Sequence, residues 1–165
     1  MVRVDIETIL MAAAPVPSVI VLREREGSAG AGAPQRALSI QTGSIEAACI
    51  SKGIEGEKMQ RPITHDLFAE TLKELGCKLE RVEINRVEAP VFFADTVFVD
   101  AMGAEHHIDA RPSDAIALAV RTNAPIYVED DVMNRAGSVA SNDTVGDDEA
   151  EKFDEFVKTL SPNDF

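Results

Sequence analysis

The chain has 165 residues, of which 45 % are hydrophobic, and its formal net charge at pH 7 is −13. This length and apolar content are sufficient for the core of one domain and exclude a wholly disordered chain. The negative charge excludes a broad nonspecific nucleic-acid-binding surface, because such surfaces neutralise phosphates with Lys and Arg. Any phosphate contact must therefore be local, through a basic pocket or a bound cation.

The cysteines and the apolar segments indicate the cellular compartment. Cys49 and Cys77 have no CxxC motif and no neighbouring His, which is typical of free thiols in a reducing compartment. The apolar stretch 9–22 is interrupted by Pro15 and Pro17 and lacks a positively charged start, unlike a signal peptide. No apolar run approaches the roughly 18 residues that cross a bilayer. We therefore expect a cytoplasmic protein without a membrane partner.

The first half of the chain reads as three strands followed by two helices. Alternating and apolar runs predict the strands, and glycines separate them from the first helix. Thr64 is the expected N-cap of the second helix, and Asp66 belongs to its first turn. The predicted strands are Val2–Leu10, Ser18–Leu22 and Arg36–Gln41, and the predicted helices are Ser44–Lys52, ended by Gly53 and Gly56, and a second helix ended by Gly76.

The second half has a similar order and a strongly apolar helix. Pro112 fits the first turn of this helix, Asp114 complements its N-terminal partial charge, and Asn123 can close it. Residues 115–120 are uninterruptedly apolar, so we expect this helix to be covered on several sides. The predicted strands are Lys78–Arg86, Val91–Asp100, Glu105–Ala110 and Pro125–Val128, and a short final helix is Glu129–Ala136.

The two halves also align with each other. A shift of 68 residues, taken from the numbering, places Glu46 on Asp114 and Ala47 on Ala115. This predicts two pseudo-repeats of three strands plus two helices, with Glu46 and Asp114 at equivalent helix starts. The predicted fold class is α+β, with mixed, largely antiparallel strands and buried central helices.

Three segments are expected along the chain. Residues 1–137 form the main domain, and residues 138–148 are rich in Ser, Asn, Asp and Gly, as linkers are. Residues 149–165 carry an amphipathic C-terminal helix and a tail. An apolar stripe at helical spacing predicts that this helix docks on the domain or on a partner, and its members are Phe153, Phe156, Val157 and Leu160.

Two polar helix starts are the candidate sites for chemistry. His65 can act as a general base near neutral pH, and the adjacent carboxylate of Asp66 can orient a water or hold a cation. Alternatively, Thr64, His65 and Asp66 only cap a helix. At the second start, Arg111 suits a phosphate and Asp114 suits a divalent metal. The alternative there is a structural Arg–Asp pair, with Ser113 satisfying a backbone group.

Nearby polar residues are weaker candidates. Asp109 alternates away from Ile108, so we expect it to face the other side of its strand. His106 and His107 lack the spacing of metal ligands to a third His or Cys and are interpreted as solvated strand residues. No GxSxG, Walker, GxGxxG or HExxH motif occurs.

Two motifs carry a family resemblance over residues 2–137. They are Arg61-Pro-Ile-Thr-His-Asp-Leu67 and Asp109-Ala-Arg-Pro-Ser-Asp-Ala-Ile-Ala-Leu-Ala119, with Phe93-Ala94 between them and Ala124-Pro-Ile-Tyr-Val128 after them. This combination resembles the bifunctional nuclease (BFN) domain family. The resemblance implies hydrolysis of RNA and DNA, an α+β fold and associating subunits, expected here as a homodimer.

The resemblance also implies roles for individual residues. The implied catalytic residues are His65, Asp66 and Asp114. The implied substrate-binding residues are Arg61, Thr64, Arg111 and Ser113. A Mg²⁺ or Mn²⁺ ion held by Asp66, Asp114 and Glu46 would lower the pKa of a bound water and neutralise the scissile phosphate.

One departure and one alternative function follow. Where many family members read Leu-Pro-Ile-Trp-Ile-Gly, this chain has Leu38-Ser-Ile-Gln-Thr-Gly43. Loss of the large aromatic would change substrate choice or assembly if that position lines a groove or interface. The competing hypothesis is a non-enzymatic regulatory or adaptor domain that binds a protein or a small anionic ligand. It predicts intact nucleic acid, and an Arg111 and Asp114 that contact each other or a subunit interface instead of an open cleft.

Overall fold

The computed structural model of the protein describes residues 1–25, 34–56 and 60–139. These residues form eight strands and four helices. The strands are β1 (Val2–Leu10), β2 (Ser18–Glu24), β3 (Arg36–Thr42), β4 (Lys78–Glu88), β5 (Val91–Val99), β6 (Glu105–Ala110), β7 (Ile126–Val128) and β8 (Gly137–Val139). The helices are α1 (Ser44–Glu55), α2 (Thr64–Glu74), α3 (Pro112–Thr122) and α4 (Asp130–Ala136).

All eight strands belong to one sheet, in the order β6-β5-β4-β7-β1-β2-β3-β8. The pairings are antiparallel except that of β4 with β7. Strands β1 to β3 form one antiparallel meander and β4 to β6 form another, and two helices follow each meander. The α+β prediction and the order of three strands plus two helices are confirmed. The second half adds β7, between β4 and β1, and β8, at the sheet edge.

The core lies between one face of the sheet and the helices. Alternate strand residues point into it: Ile20 and Leu22 of β2 and Val82 of β4 are fully buried. Helix α3 packs on β4 and β5 and also contacts α1 and α2. Its residues 115–119 are all buried, as its unbroken apolar run predicts. Burying one side chain such as Ile116 stabilises the fold by about 1.5–3 kcal/mol.

Helix boundaries depart from the predictions at two places. The N-cap of α2 is Ile63, so the assignment of Thr64 is wrong by one residue. The physical reason is that the side chain of Asp66 accepts the N–H of Ile63 at 3.1 Å and thereby caps the helix itself. Helix α1 also continues through Gly53 to Glu55, and Gly56, with φ +64°, ends it.

The end of the described chain lies at a sheet edge. Ser138 and Val139, which the sequence places in a linker, belong to β8 and pair with β3. The rest of the predicted linker and the C-terminal amphipathic helix lie outside the described residues. Within the described ranges, no helix is long and apolar enough to cross a membrane. Cys49 and Cys77, in the same part of the chain, are free and half-buried.

Candidate functional site

Three carboxylates occupy the same position in three neighbouring helices. Glu46, Asp66 and Asp114 are each the third residue of α1, α2 and α3, and α3 contacts both other helices. A carboxylate in a first turn is stabilised by the partial positive charge of the helix N-terminus. The predicted equivalence of Glu46 and Asp114 therefore holds at the level of the helix turn.

Asp114 is the centre of the first network. Arg111 binds it with two hydrogen bonds, from Nε to Oδ2 at 2.7 Å and from Nη2 to Oδ1 at 3.1 Å. His65 Nε2 lies 3.1 Å from Oδ1. The hydrogen bonds from Arg111 lower the pKa of Asp114, partial burial opposes them, and His65 lowers it further, so the pKa ends below its usual value. Asp114 is therefore ionised at neutral pH.

Arg111 joins this aspartate to the first turn of α1. Its Nη1 donates to Glu46 Oε1 at 3.2 Å. Asp114, and to a lesser degree Glu46, raise the pKa of Arg111 above its usual value. Three of the five guanidinium N–H groups are thus engaged, which leaves two without a partner among the described residues. The side chain is 65 % exposed, so those two groups can reach a ligand.

The two ring nitrogens of His65 lie in different surroundings. Nε2 faces Asp114, whereas Nδ1 is buried and has no hydrogen-bond partner among the described residues. If Nε2 carries the proton, it donates to Asp114, and Nδ1 keeps an unshared electron pair; this tautomer is assigned from geometry. In this conformation His65 therefore orients Asp114, and its free nitrogen does not face solvent.

Asp66 belongs to a second network, built on Arg121. Arg121 Nε donates to Asp66 Oδ1 at 2.5 Å, and its Nη1 donates to the carbonyl of Ala117 at 2.8 Å. Burial raises the pKa of Asp66, but the hydrogen bonds from Arg121 and from the Ile63 N–H outweigh it, so the pKa ends below its usual value. The Arg121 side chain is only 8 % exposed.

The role of Arg121 was not evident from the sequence. The Arg121 guanidinium also lies against Gly53 of α1, where an added Cβ would come within 2.7 Å of Nη1. Arg121 therefore links α1, α2 and α3. The glycine inside α1 is the sequence signal of this close approach, although the sequence alone predicts that Gly53 ends the helix.

The predicted metal ligands are divided between the two networks. Glu46 and Asp114 bind Arg111, whereas Asp66 binds Arg121. Among the described residues, no group of three or more His, Cys, Asp or Glu side chains is placed to hold a metal ion. In the described part of the chain the three carboxylates therefore do not form one metal centre, because Arg121 holds Asp66 and Arg111 holds Glu46 and Asp114.

The predicted substrate-binding residues are divided as well. Arg61 and Thr64 are exposed, and Arg61 forms no ion pair with another described residue. Ser113 is buried and lines a cleft of about 240 Å³ together with Arg111 and Glu46. The structure thus brings together Glu46, His65, Arg111, Ser113 and Asp114. Asp66 pairs with Arg121 instead, and among the described residues neither Arg61 nor Thr64 forms a side-chain hydrogen bond or ion pair with that group.

The weaker candidates lie as predicted. Asp109 is exposed and pairs across the strands with Asp95, on the sheet face away from the core. His106 and His107 are exposed, and their Nε2 atoms lie 2.8 Å from Asp100 and 3.7 Å from Glu105.

Comparisons with known proteins agree with the sequence motifs. The model of the family described as the bifunctional nuclease domain matches residues 20–141, a range that holds both networks. Two proteins of Mycobacterium tuberculosis are 37 % identical to this chain over 154 residues, which cover 89 % of this chain and 87 % of each relative. They are the uncharacterized protein MT1877 of strain CDC 1551 / Oshkosh and the uncharacterized protein Rv1829 of strain ATCC 25618 / H37Rv.

Proposed function

Because the chain belongs to the bifunctional nuclease domain family, we propose that it hydrolyses phosphodiester bonds of RNA and DNA at the cleft beside Arg111. One observation carries this proposal. Two first-turn carboxylates hold an exposed guanidinium in a fixed position, with two N–H donors still available. A preorganised guanidinium stabilises the charge that develops on a reacting phosphate.

The remaining groups of the cleft supply proton transfer. Attack of water on phosphorus forms a P–O bond and breaks the bond to the leaving sugar oxygen. The attacking water loses a proton, and the leaving sugar oxygen takes up a proton from solvent. Glu46 is the group best placed to accept this proton, because its Oε2 receives no hydrogen bond from another described residue. Asp114 positions Arg111, and His65 positions Asp114. A charge-assisted arrangement of this kind costs little reorganisation during the reaction.

A metal requirement is part of what must be tested. Mg²⁺ or Mn²⁺ bound with the substrate would supply further positive charge at the phosphate. The carboxylates of residues 1–25, 34–56 and 60–139 do not form a three-ligand centre, so each step above is assigned to side chains.

We also propose a cytoplasmic homodimer. Half-buried free thiols suit a reducing compartment. Large apolar side chains are exposed on α2, at its C-cap, and on β6, which is a sheet edge. They are Leu67 and Phe68, Leu75, and Ile108, respectively. Edge strands and exposed apolar patches are common association surfaces. Light scattering of the full chain should give twice the monomer mass, and a monomer at all concentrations would contradict the dimer.

The test of the activity compares two aspartates of one motif. Labelled RNA and DNA are incubated with highly purified wild type, Asp114→Asn and the matched control Asp109→Asn, each with Mg²⁺, Mn²⁺ or EDTA. We expect Asp114→Asn to lose about 100-fold or more in cleavage rate, because it loses the charge that fixes Arg111. Asp109→Asn should cleave like wild type.

Thermal melts establish that all three proteins are folded. Equal cleavage by wild type and Asp114→Asn would mean that the activity comes from a contaminant or from another site. Cleavage that EDTA abolishes would establish a metal requirement.

A specific observation favours the second candidate, a regulatory or adaptor domain. Arg111 and Asp114 bind each other, as that hypothesis predicts, and the carboxylates are already compensated by arginines. They also border an open cleft, which the nuclease proposal requires. Intact RNA and DNA after incubation with folded wild type under every metal condition would support the adaptor function.

A further inference from the structure

The cleft beside Arg111 has a composition that the proposed catalytic groups do not explain. Its charged residues are Glu46, in the first turn of α1, and Arg111, the N-cap of α3. The lining also includes Gln41 and Thr42 at the end of β3 and Val91 and Phe92 at the start of β5. Apolar walls with a few convergent polar groups are typical of sites that bind a small organic group.

The topology explains why these elements meet. The ladder between β5 and β6 ends at the pair Ala94 and Ala110, and the chain beyond Ala110 turns into α3. Phe92 therefore lies at the same end of the sheet as Arg111. The start of α1 directly follows β3, which brings Gln41 to the cleft. The aromatic side chain of Phe92 and the charged side chains of Glu46 and Arg111 thus line one cavity.

We propose that this cleft binds one unpaired nucleobase next to the phosphate at Arg111, so that the substrate class is single-stranded nucleic acid. This inference rests on the proposed nuclease function and deepens it. The cavity of about 240 Å³ is smaller than the roughly 300–1,000 Å³ of sites for drug-sized ligands, so it suits one base rather than a base pair. Unpaired bases are free to leave a stack and enter such a site.

Charge supports the same substrate class. A duplex is held mainly through several phosphate contacts made by Lys and Arg. This chain has a net charge of −13, and Arg111 is the single cation lining the described cleft. Stacking on an aromatic ring and hydrogen bonds to the base edge provide affinity without further positive charge.

Two side chains have distinct parts in this inference. Phe92 is half-buried and packs against the core, which holds its ring in place. Gln41 is exposed, and its amide offers both donors and an acceptor to the edge of a base. Gln41 is therefore the specificity-determining residue, and its replacement should leave the fold intact.

The first experiment measures binding without cleavage. AMP, CMP and ribose 5-phosphate are titrated into the ¹⁵N-labelled full chain by NMR. We expect AMP or CMP to shift the amides of Gln41, Thr42 and Phe92 and to bind more tightly than ribose 5-phosphate. Gln41→Ala and Phe92→Leu should each weaken the nucleotide by roughly 5-fold or more and leave ribose 5-phosphate unchanged.

The matched control is Gln35→Ala. Gln35 lies just before the opposite end of β3, about 20 Å from Gln41 at the usual strand rise. It should bind the nucleotide like wild type. Equal affinity for nucleotide and ribose 5-phosphate, or shifts that avoid the cleft, would overturn the inference.

The second experiment separates this inference from the proposed function. Wild type is incubated with a single-stranded oligonucleotide or with the same strand annealed to its complement. We expect the single strand to be cleaved at least about 10-fold faster than the duplex. Cleavage of both at one rate would leave the nuclease standing and overturn the base-binding cleft. Nucleotide binding in the cleft without any cleavage would support the base-binding cleft and overturn the proposed nuclease function.

Discussion

Arg111 and Arg121 each bind an aspartate in the first turn of a helix, but their surroundings differ. The Arg111 side chain is 65 % exposed, and the Arg121 side chain is 8 % exposed. Arg111 shares its donors between Asp114 and Glu46 and keeps two available. Arg121 donates to Asp66 and to a backbone carbonyl inside the helix layer. The same pairing thus leaves guanidinium donors accessible in one place and supports helix packing in the other.

Burial, and not residue type, distinguishes the two arginines. A buried guanidinium stabilises the fold because removing it leaves an uncompensated carboxylate. An exposed ion pair contributes little to stability, because water screens it. Charge at the exposed pair is therefore available for chemistry at little cost in folding free energy.

The largest effect on stability is expected for Arg121→Ala. This change removes the hydrogen bonds that Arg121 donates to Asp66 Oδ1 and to the Ala117 carbonyl and leaves the Asp66 charge without its cation, so we expect a loss of about 3–4 kcal/mol in the free energy of unfolding. Urea denaturation measures it. The control is Arg135→Ala, which removes an exposed pair with Asp131 and should cost less than about 0.5 kcal/mol. Equal losses for both variants would refute the structural role of Arg121.

Arg111→Ala should have a large effect on cleavage and a small effect on stability. We expect cleavage to fall about 100-fold, equivalent to roughly 2.7 kcal/mol in the barrier, while the free energy of unfolding changes by less than about 1 kcal/mol. Arg111→Lys keeps the charge but loses the paired hydrogen bonds, so it should recover only part of the rate. Full activity of Arg111→Ala would remove this residue from the site.

Gly53→Ala should destabilise the protein by about 1–2 kcal/mol, although alanine is the better helix former. The added Cβ would meet Val120 Cγ2 at 2.5 Å and Arg121 Nη1 at 2.7 Å. Calorimetry of this variant and of its double mutant with Arg121→Ala checks the cause. The two losses should not add, because removal of the guanidinium relieves part of the clash. A stabilised Gly53→Ala would show that helix propensity dominates there.

The smallest expected effect concerns acid stability. The pKa of Asp66 is lower in the folded protein, so its stabilising contribution is complete above the usual pKa of Asp and is lost as pH falls through the folded value. We expect Asp66→Asn to cost about 1 kcal/mol at pH 7 and the difference from wild type to vanish well below pH ~4. A difference that stays constant down to pH ~2 would contradict the ion pair.

Local patterns predicted the elements and the central helix well. Alternation identified the strands, and an unbroken apolar run identified the burial of α3, because both signals lie within a few neighbouring residues. First-turn carboxylates were likewise readable from spacing. The pairing of Asp66 with Arg121 was not, because the two residues are 55 positions apart and only the packing of α2 on α3 brings them together.

The same limit explains why the sequence predicts a three-carboxylate centre that the described residues do not form. Sequence places Glu46, Asp66 and Asp114 at three helix starts but cannot state which arginine reaches each one. The predicted helix end at Gly53 and the predicted N-cap at Thr64 were wrong for a related reason. Gly53 leaves room for the Arg121 guanidinium inside α1, and the Asp66 side chain caps α2.

The most direct test compares Asp114→Asn with Asp66→Asn. Cleavage of single-stranded RNA is measured per folded molecule, at a temperature where thermal melts show both variants to be native. Our account predicts that Asp114→Asn loses about 100-fold or more, whereas Asp66→Asn stays within a few-fold of wild type. Equal, large losses in both variants would contradict the account and return Asp66 to a shared catalytic centre.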